Sequence, residues 1–526
     1  MNVKKMMVGI AAVAMGVSAG AATQKFTEEE LAYMPATAQI ELFKAGVITP
    51  TDVLEAQIAR VEKLNGECNT THRDLLNELD TFNAGKVNSI TFKNFEEARK
   101  MAKESEARYR SGTARPLEGV TVGIKDDHDV KGWRRDAGSL VADKLGMDLT
   151  RPEDDDIAER LRAAGAIFVF QTTVPEFCAS CMTWTRLFGV THNPWNLFYG
   201  VGGSSGGSGA SLAAGFCTLA TGTDMGGSTR IPSAMNGCYG FKPPFGRIPC
   251  IENTYCSCGP IARTFEDMVL MTNVMCGPSK RVQFSIRPKL EYPAAYRPIK
   301  GEKVAVAYMK GWLKDGIDTD VEAAMDRTVA ALKAAGAEVV PVDLSWKSDE
   351  LLPVYAKGLL ASDLYLLPMM AMQHPDLVCT YSKELFTFAE GLTPEGGVIA
   401  GKAITAMHQE VQKKVFDKGC IALIMPTLAT AHVPADVDAT PAKKAAVNGK
   451  PYGGLSFCLT FQWNMMSAYP IVDVPAGLSS RNVPIGVQVI ANTYDDLEAY
   501  RVAASLSKTL PQNYRDGRFP DFRNQK

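Results

Sequence analysis

The stretch from Gly200 to Arg230 reads "GVGGSSGGSGASLAAGFCTLATGTDMGGSTR" and combines a Gly-Ser block with a second glycine-rich turn that ends at Ser228. Serine is a poor nucleophile unless a base accepts its proton. Histidine, the usual base, does not occur in this stretch. Ser228 is therefore either a turn residue or a nucleophile whose base comes from another part of the chain.

Three nucleotide or nucleophile motifs compete for the Gly-Ser block. A phosphate-binding P-loop needs a lysine after its last glycine, and the dinucleotide pattern G-x-G-x-x-G fails on spacing. The nucleophile-elbow pattern G-x-S-x-G does match, around Ser204 and Ser205. It requires a downstream histidine, and His374, His408 and His432 follow without a recognisable motif. A Ser-His-Asp esterase of the α/β-hydrolase type therefore stays open as an alternative.

Short apolar runs alternate with amphipathic segments on both sides of this block. Strands are predicted at "VTVGIKD", "IFVFQTT", "KVAVAYM", "AEVVPVDL", "IALIMPT" and "PIGVQVIA". Helices are predicted at Val321 to Ala335 and Asp496 to Leu510, and another begins at Pro50 after the N-cap candidate Thr49. This alternation predicts an α/β fold with a largely parallel sheet and no internal repeat.

The resemblance to a known family rests on several segments taken together. Lys125 ends the apolar run "VTVGIK", and "GGSSGG" and "GTDMGGSTR" follow at Gly202 and Gly222. With "NPW", "GFKPPFGRIP", "AGAIFVFQTTVPEF", "IMPTLA" and "YPIVDVPAGLSSRNVPIGVQVIA", the chain resembles the amidase signature family. The resemblance covers most of the chain and is weakest between about 277 and 419.

The resemblance implies a three-layer α/β/α fold with a central mixed, largely parallel sheet. Residues 22–526 are expected to form one amidase domain. Its parts are a helical segment at 27–115, the signature core at 116–276, a variable helical segment at 277–419, and C-terminal strands and a helix at 420–526. The variable segment is expected to shape the substrate entrance.

The resemblance also implies a Ser-Ser-Lys catalytic set. Ser228 is the expected nucleophile, Ser204 the bridging serine on a cis peptide, and Lys125 the base. A lysine acts as a base only when it is uncharged, which burial favours. Since Asp126 and Asp127 would favour the charged form, we expect both to point away from Lys125. The family's usual K-D-N is Lys-Asp-Asp in this chain.

Other residues receive supporting roles by the same resemblance. The backbone N–H groups of Met225, Gly226, Gly227 and Ser228 are expected to form the oxyanion hole. Ser205 is expected to hydrogen-bond Lys125, Asp224 to brace the loop, and Arg230 to be structural. Met182 and Trp184 are candidates for the acyl pocket or for ordinary core. His128 and His192 have no family role, so both are expected to be solvent-facing or structural.

The first residues, "MNVKKMMVGIAAVAMGVSAGAA", carry two lysines, an apolar run and an A-x-A pattern that ends at Ala21. This predicts a cleavable signal peptide over 1–21 and an exported protein, periplasmic or extracellular, with no membrane span in the mature chain. The formal net charge of −2 argues against a nucleic-acid partner. Twelve cysteines without supporting histidines make a zinc site a weak hypothesis, and no metal or organic cofactor is implied.

The predicted function is hydrolysis of a carboxamide to a carboxylic acid plus ammonia or an amine, through a serine acyl-enzyme. Peptide amides, aryl amides and fatty amides are the candidate small-molecule substrates. Beside the esterase, a non-catalytic binding protein on an amidase scaffold is the other alternative. Neither the substrate nor the oligomeric state can be read from the residues.

Overall fold

The computed structural model describes residues 26–67, 85–250, 253–360, 373–390, 394–439, 443–515 and 517–522. The predicted signal peptide at 1–21 lies outside these residues. Among the described residues, no helix is both long enough and apolar enough to cross a membrane.

Eleven strands form one sheet, in the order β1-β3-β2-β4-β6-β5-β10-β11-β9-β7-β8. In chain order they are β1 Ile90–Lys93, β2 Thr121–Lys125, β3 Ile167–Thr172, β4 Leu219–Asp224, β5 Tyr239–Lys242, β6 Ser257–Ala262, β7 Lys303–Val306, β8 Glu338–Pro341, β9 Cys420–Pro426, β10 Ile471–Leu478 and β11 Pro484–Ala491. All six strands predicted from apolar runs are present. The α/β class and the mixed sheet are confirmed.

The directions of the strands correct one expectation. Parallel pairing is confined to two groups, β3-β2-β4 and β9-β7-β8. The other six of the ten neighbouring pairs are antiparallel. The sheet is therefore mixed rather than largely parallel, because the antiparallel strands β4, β6, β5, β10 and β11 occupy its centre.

Both faces of this sheet are covered. Every residue of β2, β3, β5, β6 and β11 is buried. Because successive side chains of a strand point to opposite faces, complete burial requires packing on both sides. The arrangement is therefore three-layered, as predicted.

Fifteen helices occur in the described residues: α1 Glu28–Ala32, α2 Ala36–Lys44, α3 Pro50–Leu64, α4 Phe95–Ser111, α5 Leu140–Lys144, α6 Asp156–Ala163, α7 Gly206–Ala213, α8 Arg230–Asn236, α9 Phe265–Met275, α10 Thr319–Ala334, α11 Ser348–Leu360, α12 Thr380–Glu390, α13 Pro394–Lys414, α14 Phe461–Met465 and α15 Asp496–Thr509. Helix α3 begins as predicted, with Pro50 in its first turn and a capping box between Thr49 and Asp52. The two long helices predicted later in the chain are α10 and α15.

Candidate active site

Lys125 is the last residue of β2, and its side chain is fully buried. Its backbone N–H donates to Thr221 Oγ1 on β4 at 2.9 Å, which ties the end of β2 to the neighbouring strand. Its Nζ donates to Ser204 Oγ at 2.8 Å and also to Thr223 Oγ1. The strand ends and the Gly-Ser block thus bring together residues that are far apart in sequence.

A third group contacts the same ammonium, and it corrects an expectation. Asp127 Oδ2 lies 2.9 Å from Lys125 Nζ and accepts a hydrogen bond from Thr223. The prediction that Asp127 points away from the lysine is wrong, because the turn after β2 folds its carboxylate back over Nζ. Asp126 does turn elsewhere, and its Oδ1 accepts from Gln171 Nε2 at 2.9 Å.

The ion pair determines the charge of Lys125. Burial is the largest single influence and lowers the pKa of Lys125. The charge and the hydrogen bond of Asp127, with contributions from Cys178 and Cys256, together outweigh burial and raise that pKa above its usual value. Burial alone would raise the pKa of Asp127, yet Lys125 and His128 hold it below its usual value. The raised pKa of Lys125 and the lowered pKa of Asp127 both favour the charged pair. Burial alone therefore does not give the uncharged lysine that the sequence analysis predicts.

Ser204 and Ser228 line the same cavity. Ser204 follows Gly203 through a cis peptide bond, and only 1% of its surface is exposed. Ser228 lies in the turn after β4, is half-buried, and its carbonyl accepts from the N–H of Ser205 at 3.2 Å. The two predicted catalytic serines therefore line one cavity, and the fully buried Lys125 reaches it only through its hydrogen bond to Ser204.

The turn that carries Ser228 requires glycine at residue 227 and leaves little room for a side chain at residue 226. A Cβ on Gly226 would lie 2.7 Å from Tyr355 Oη. At Gly227, φ is +123° and a Cβ would lie 2.2 Å from Thr460 Oγ1. A side chain at residue 227 is thus excluded both by a close neighbour and by a backbone conformation that L-residues rarely adopt.

The predicted oxyanion hole needs one correction. The N–H of Gly227 donates to Asp224 Oδ1 at 2.9 Å, so it is already bonded inside the protein. Met225, Gly226 and Ser228 line the cavity, whereas Gly227 does not. Three of the four predicted donors thus belong to residues that line the cavity, while the N–H of Gly227 holds the turn on the carboxylate of Asp224.

Asp224 and Arg230 form a buried ion pair beneath this turn. Arg230 donates to Asp224 through Nε and Nη2, each at 2.9 Å, and neither side chain is exposed. The guanidinium also donates to Gln488, Asn464 and the carbonyl of Thr460. Burial would raise the pKa of Asp224, but Arg230 holds it well below its usual value. The charged pair anchors the turn that carries Ser228 to β11 and α14.

Ser205 does not take the role predicted for it. Its Oγ donates to the carbonyl of Thr223 at 3.3 Å and accepts from the N–H of the same residue at 3.3 Å. The hydroxyl that accepts from Lys125 is instead that of Thr223. Ser205 therefore joins the Gly-Ser block to the end of β4, and Thr223 is the residue that bonds the lysine.

The cavity has a volume of about 680 Å³. Beyond the serines, its wall combines acidic residues of the loop before α6 with the segment Phe177 to Cys181 and with Tyr355 and Leu359 of α11. Helix α11 belongs to the segment 277–419, which was expected to shape the substrate entrance. The apolar part of the wall comprises Phe177, Ile231, Pro249, Tyr355, Leu359, Leu385 and Leu455.

Met182 and Trp184 do not line this cavity. Both are fully buried. Trp184 packs edge-on against Tyr381 with ring centroids 4.8 Å apart, and its Nε1 donates to the carbonyl of Val437. The acyl-pocket alternative is therefore wrong for both residues, and the alternative of ordinary core holds.

The histidines divide into two groups. His128 lines the cavity, is 2% exposed, and its Nδ1 lies 2.8 Å from Asp155 Oδ2, so it is not solvent-facing. His408 bonds to Tyr469 Oη, and His432 lies beside Asp318 and Asp320. None of the three histidines required by the esterase alternative is among the described residues that line the cavity. The downstream histidines that this alternative needs are therefore away from the cavity that the serines line.

The site therefore consists of a buried lysine that donates to Ser204, with Ser204 and Ser228 lining the same cavity, an arrangement typical of serine hydrolases whose base is a lysine. The sequence matches the family described as Amidase over residues 73–499. The chain belongs to the amidase signature family of hydrolases.

Similar proteins include both hydrolases and part of a transferase. The acylamidase of Rhodococcus erythropolis is 31% identical over 504 residues, 92% of this chain and 97% of the relative. A glutamyl-tRNA(Gln) amidotransferase component of Ralstonia pickettii (strain 12J) is 28% identical, over 82% of this chain and 92% of the relative. The structure of a bacterial aryl acylamidase of the amidase signature family superimposes with a TM-score of 0.76 at 25% identity, over 91% of this chain and 96% of that chain.

Proposed function

We propose that the protein hydrolyses a carboxamide to a carboxylic acid plus ammonia or an amine, through an acyl-enzyme on Ser228. The observation that carries the proposal is the 2.8 Å hydrogen bond from Lys125 Nζ to Ser204 Oγ, at the wall of the cavity that Ser228 also lines. A buried lysine joined to a serine can take up and return protons, which amide cleavage requires twice.

In this mechanism Ser228 Oγ attacks the amide carbonyl, and its proton passes through Ser204 to Lys125. The N–H groups of Met225, Gly226 and Ser228 stabilise the oxyanion of the tetrahedral intermediate. The same relay then delivers a proton to the leaving nitrogen, and the carbon–nitrogen bond breaks. Water attacks the acyl-enzyme and gives its proton back along the same path, which releases the acid and restores Ser228.

The substrate that we propose is a small acyl or aryl amide. The volume of the cavity, about 680 Å³, suits a drug-sized ligand, and Phe177, Tyr355 and Leu455 give it apolar surface. The acylamidase and aryl acylamidase relatives point to the same class. Peptide amides and fatty amides remain in the proposal because their apolar groups could use the same walls.

We further propose that the chain is exported, on the support of the signal-like segment Met1 to Ala21. Export would separate the protein from aminoacylated tRNA, the substrate named by the amidotransferase relative. Intact-mass measurement of protein recovered from the extracytoplasmic fraction checks this, with a chain that starts at Ala22 expected. Full-length protein confined to the cytosol would contradict it.

The test of the activity combines covalent labelling with an amide panel. The wild type, Lys125→Ala and Lys131→Ala are treated with a fluorophosphonate, and the labelled peptide is mapped by mass spectrometry. We expect the adduct on Ser228, formed much more slowly without Lys125, whereas the exposed Lys131 serves as the matched control. Aryl, peptide and fatty amides are then assayed for release of the amine or ammonia.

Two results would contradict the proposal. An adduct on Ser204 or Ser205 that is indifferent to Lys125 would exclude Ser228 as the nucleophile and restore the esterase mechanism. Retained tight binding of amides without turnover, and without any adduct, would favour the non-catalytic binding protein.

A further inference from the structure

The ion pair between Lys125 and Asp127 lies at the point where the proposed mechanism needs an uncharged lysine. We infer that Asp127 is a positioning residue that holds the proton on Lys125 in the resting enzyme, so that the lysine becomes a base only as the pH rises. The inference rests on the proposed function, since it concerns the base of that reaction.

The hydrogen bonds around Nζ fit the protonated lysine. An ammonium has three N–H donors and no acceptor, and three acceptors surround Lys125: Ser204 Oγ, Thr223 Oγ1 and Asp127 Oδ2. An uncharged amine has only two N–H donors, so it cannot donate to all three of these oxygens at once. It would also leave the carboxylate of Asp127, whose side chain is only 20% exposed, beside an uncharged group. Removing the proton from Lys125 is therefore unfavourable, because it breaks the ion pair and leaves the charge of Asp127 without its partner.

No other described carboxylate forms an ion pair with Lys125, and the neighbouring groups do not replace the charge of Asp127. Cys178, in the short helix Glu176–Cys178, lies 3.7 Å from Asp127 Oδ2, and burial raises its pKa to about 12, which keeps the thiol uncharged. The hydrogen bond with Cys250, together with burial, raises the pKa of Cys256 well above its usual value. Burial likewise raises the pKa of Asp126 well above its usual value.

His128 also stabilises the ionised carboxylate of Asp127. Burial lowers the pKa of His128, but Asp155 outweighs it and raises that pKa. A protonated His128 stabilises the charged form of Asp127, whose pKa is lowered by Lys125 and by His128. Asp127 therefore stays ionised at the pH at which Lys125 would have to release its proton.

The consequence is a particular pH dependence. Below the pKa of a base, its uncharged fraction falls about tenfold for each pH unit. An amide in place of the carboxylate keeps the shape of residue 127 and its bond from Thr223, but it removes the negative charge. Burial is then the largest influence left on the pKa of Lys125, and it favours the uncharged amine. The charge at residue 127 thus sets the pH at which Ser228 becomes nucleophilic.

The experiment measures the rate constant of fluorophosphonate labelling of Ser228 from about pH 6 to about pH 10 in the wild type, Asp127→Asn, Asp127→Glu and Asp126→Asn. We expect the wild-type rate to rise with pH into the alkaline range. Asp127→Asn should move this rise to lower pH by at least about one unit, which increases the rate at neutral pH about tenfold. Asp127→Glu keeps the charge at residue 127, and Asp126→Asn changes a carboxyl that bonds to Gln171 and forms no ion pair with Lys125, so both should follow the wild type.

Several outcomes overturn the inference. The first is a wild-type labelling rate that is already constant at neutral pH. The second is a pH profile in Asp127→Asn that matches the wild type, or one that shifts equally in Asp126→Asn. The third is a folded Asp127→Asn variant that is not labelled at any pH. If Asp127→Asn does not fold, the wild-type profile alone decides. Labelling of Ser228 that requires Lys125 but ignores residue 127 refutes only this inference, whereas absence of labelling in every variant refutes the proposed function as well.

Discussion

Arg230 Nη2 and Asp224 Oδ1 lie 2.9 Å apart, and neither side chain is exposed to solvent. Asp224 is the last residue of β4 and Arg230 the first of α8, so the pair closes the turn that carries Ser228. The N–H groups of Gly227 and Thr229 donate to the same carboxylate. The conformation of the turn that carries Ser228 therefore depends on a buried ion pair.

Arg230→Ala should destabilise the protein strongly. The substitution leaves Asp224 charged, buried and without its cation, which typically costs about 3–5 kcal/mol. Urea unfolding followed by circular dichroism measures the loss. The matched control is Lys44→Ala, which removes one partner of an exposed pair with Glu41 and should leave the midpoint unchanged. A loss no larger than that of the control would show that the pair does not anchor the turn.

Ser204→Ala should slow acylation far more than Ser205→Ala. Ser204 Oγ accepts from Lys125, whereas Ser205 Oγ bonds only the backbone of Thr223 among the contacts that the structure shows. Loss of a positioned proton-transfer group typically costs about 10²–10⁴ in rate. Labelling rates at Ser228 and amide turnover give the comparison, with thermal melting to check the fold. Equal losses in both variants would argue against a relay through Ser204.

The fold could be predicted where the pattern is local. Strands β2, β3 and β11 are continuous apolar runs, which buried strands favour. Strands β4, β5 and β6 were not predicted, because "LATGTD", "YGFK" and "SCGPIA" are rich in residues typical of turns. These strands belong to the antiparallel centre of the sheet, so missing them made the sheet look more parallel than it is.

Only the site residues that belong to family motifs could be predicted from the sequence. Lys125, Ser204 and Ser228 came from the family resemblance. The structure places the two serines at the wall of one cavity and Lys125 behind Ser204, at hydrogen-bond distance. The pairing of Asp127 with Lys125 depends on how the turn after β2 folds, which no local pattern encodes. Thr223 was overlooked because it lies inside a glycine-rich segment, although its alternation with Thr221 along β4 could have indicated two strand residues facing the same way.

Substrate binding should respond to Tyr355 and not to Trp184. Tyr355 lines the cavity and its Oη donates to the carbonyl of Met225 at 3.1 Å, whereas Trp184 does not line the cavity. Tyr355→Leu should raise KM for an aryl amide about tenfold, since it removes an aromatic wall and a bond to the turn. Trp184→Phe should lower the melting temperature and leave KM unchanged. A KM effect in Trp184→Phe without one in Tyr355→Leu would refute this assignment of the wall.

Asp473→Asn should stabilise the protein increasingly as the pH rises. Asp473 is fully buried on β10, its Oδ1 accepts from Thr427, and no hydrogen bond reaches its Oδ2 among the described residues. Burial raises the pKa of Asp473 well above its usual value, so the folded protein binds a proton that the unfolded chain releases above about pH 4. Stability that depends on this proton is complete below the unfolded pKa and decreases as the pH rises toward the folded pKa. Because the amide does not titrate, the free energy of unfolding of the variant does not decrease in this way.

The measurement is the free energy of unfolding in urea at about pH 4 and about pH 7, for the wild type and Asp473→Asn. The difference between them should grow in favour of the variant from the lower to the higher pH. Asp349→Asn, the same chemical change at an exposed position near the start of α11, is the control. A variant that is less stable by the same amount at both pH values would mean that Asp473 acts through its hydrogen bond to Thr427 and that its buried carboxyl carries no pH-dependent penalty.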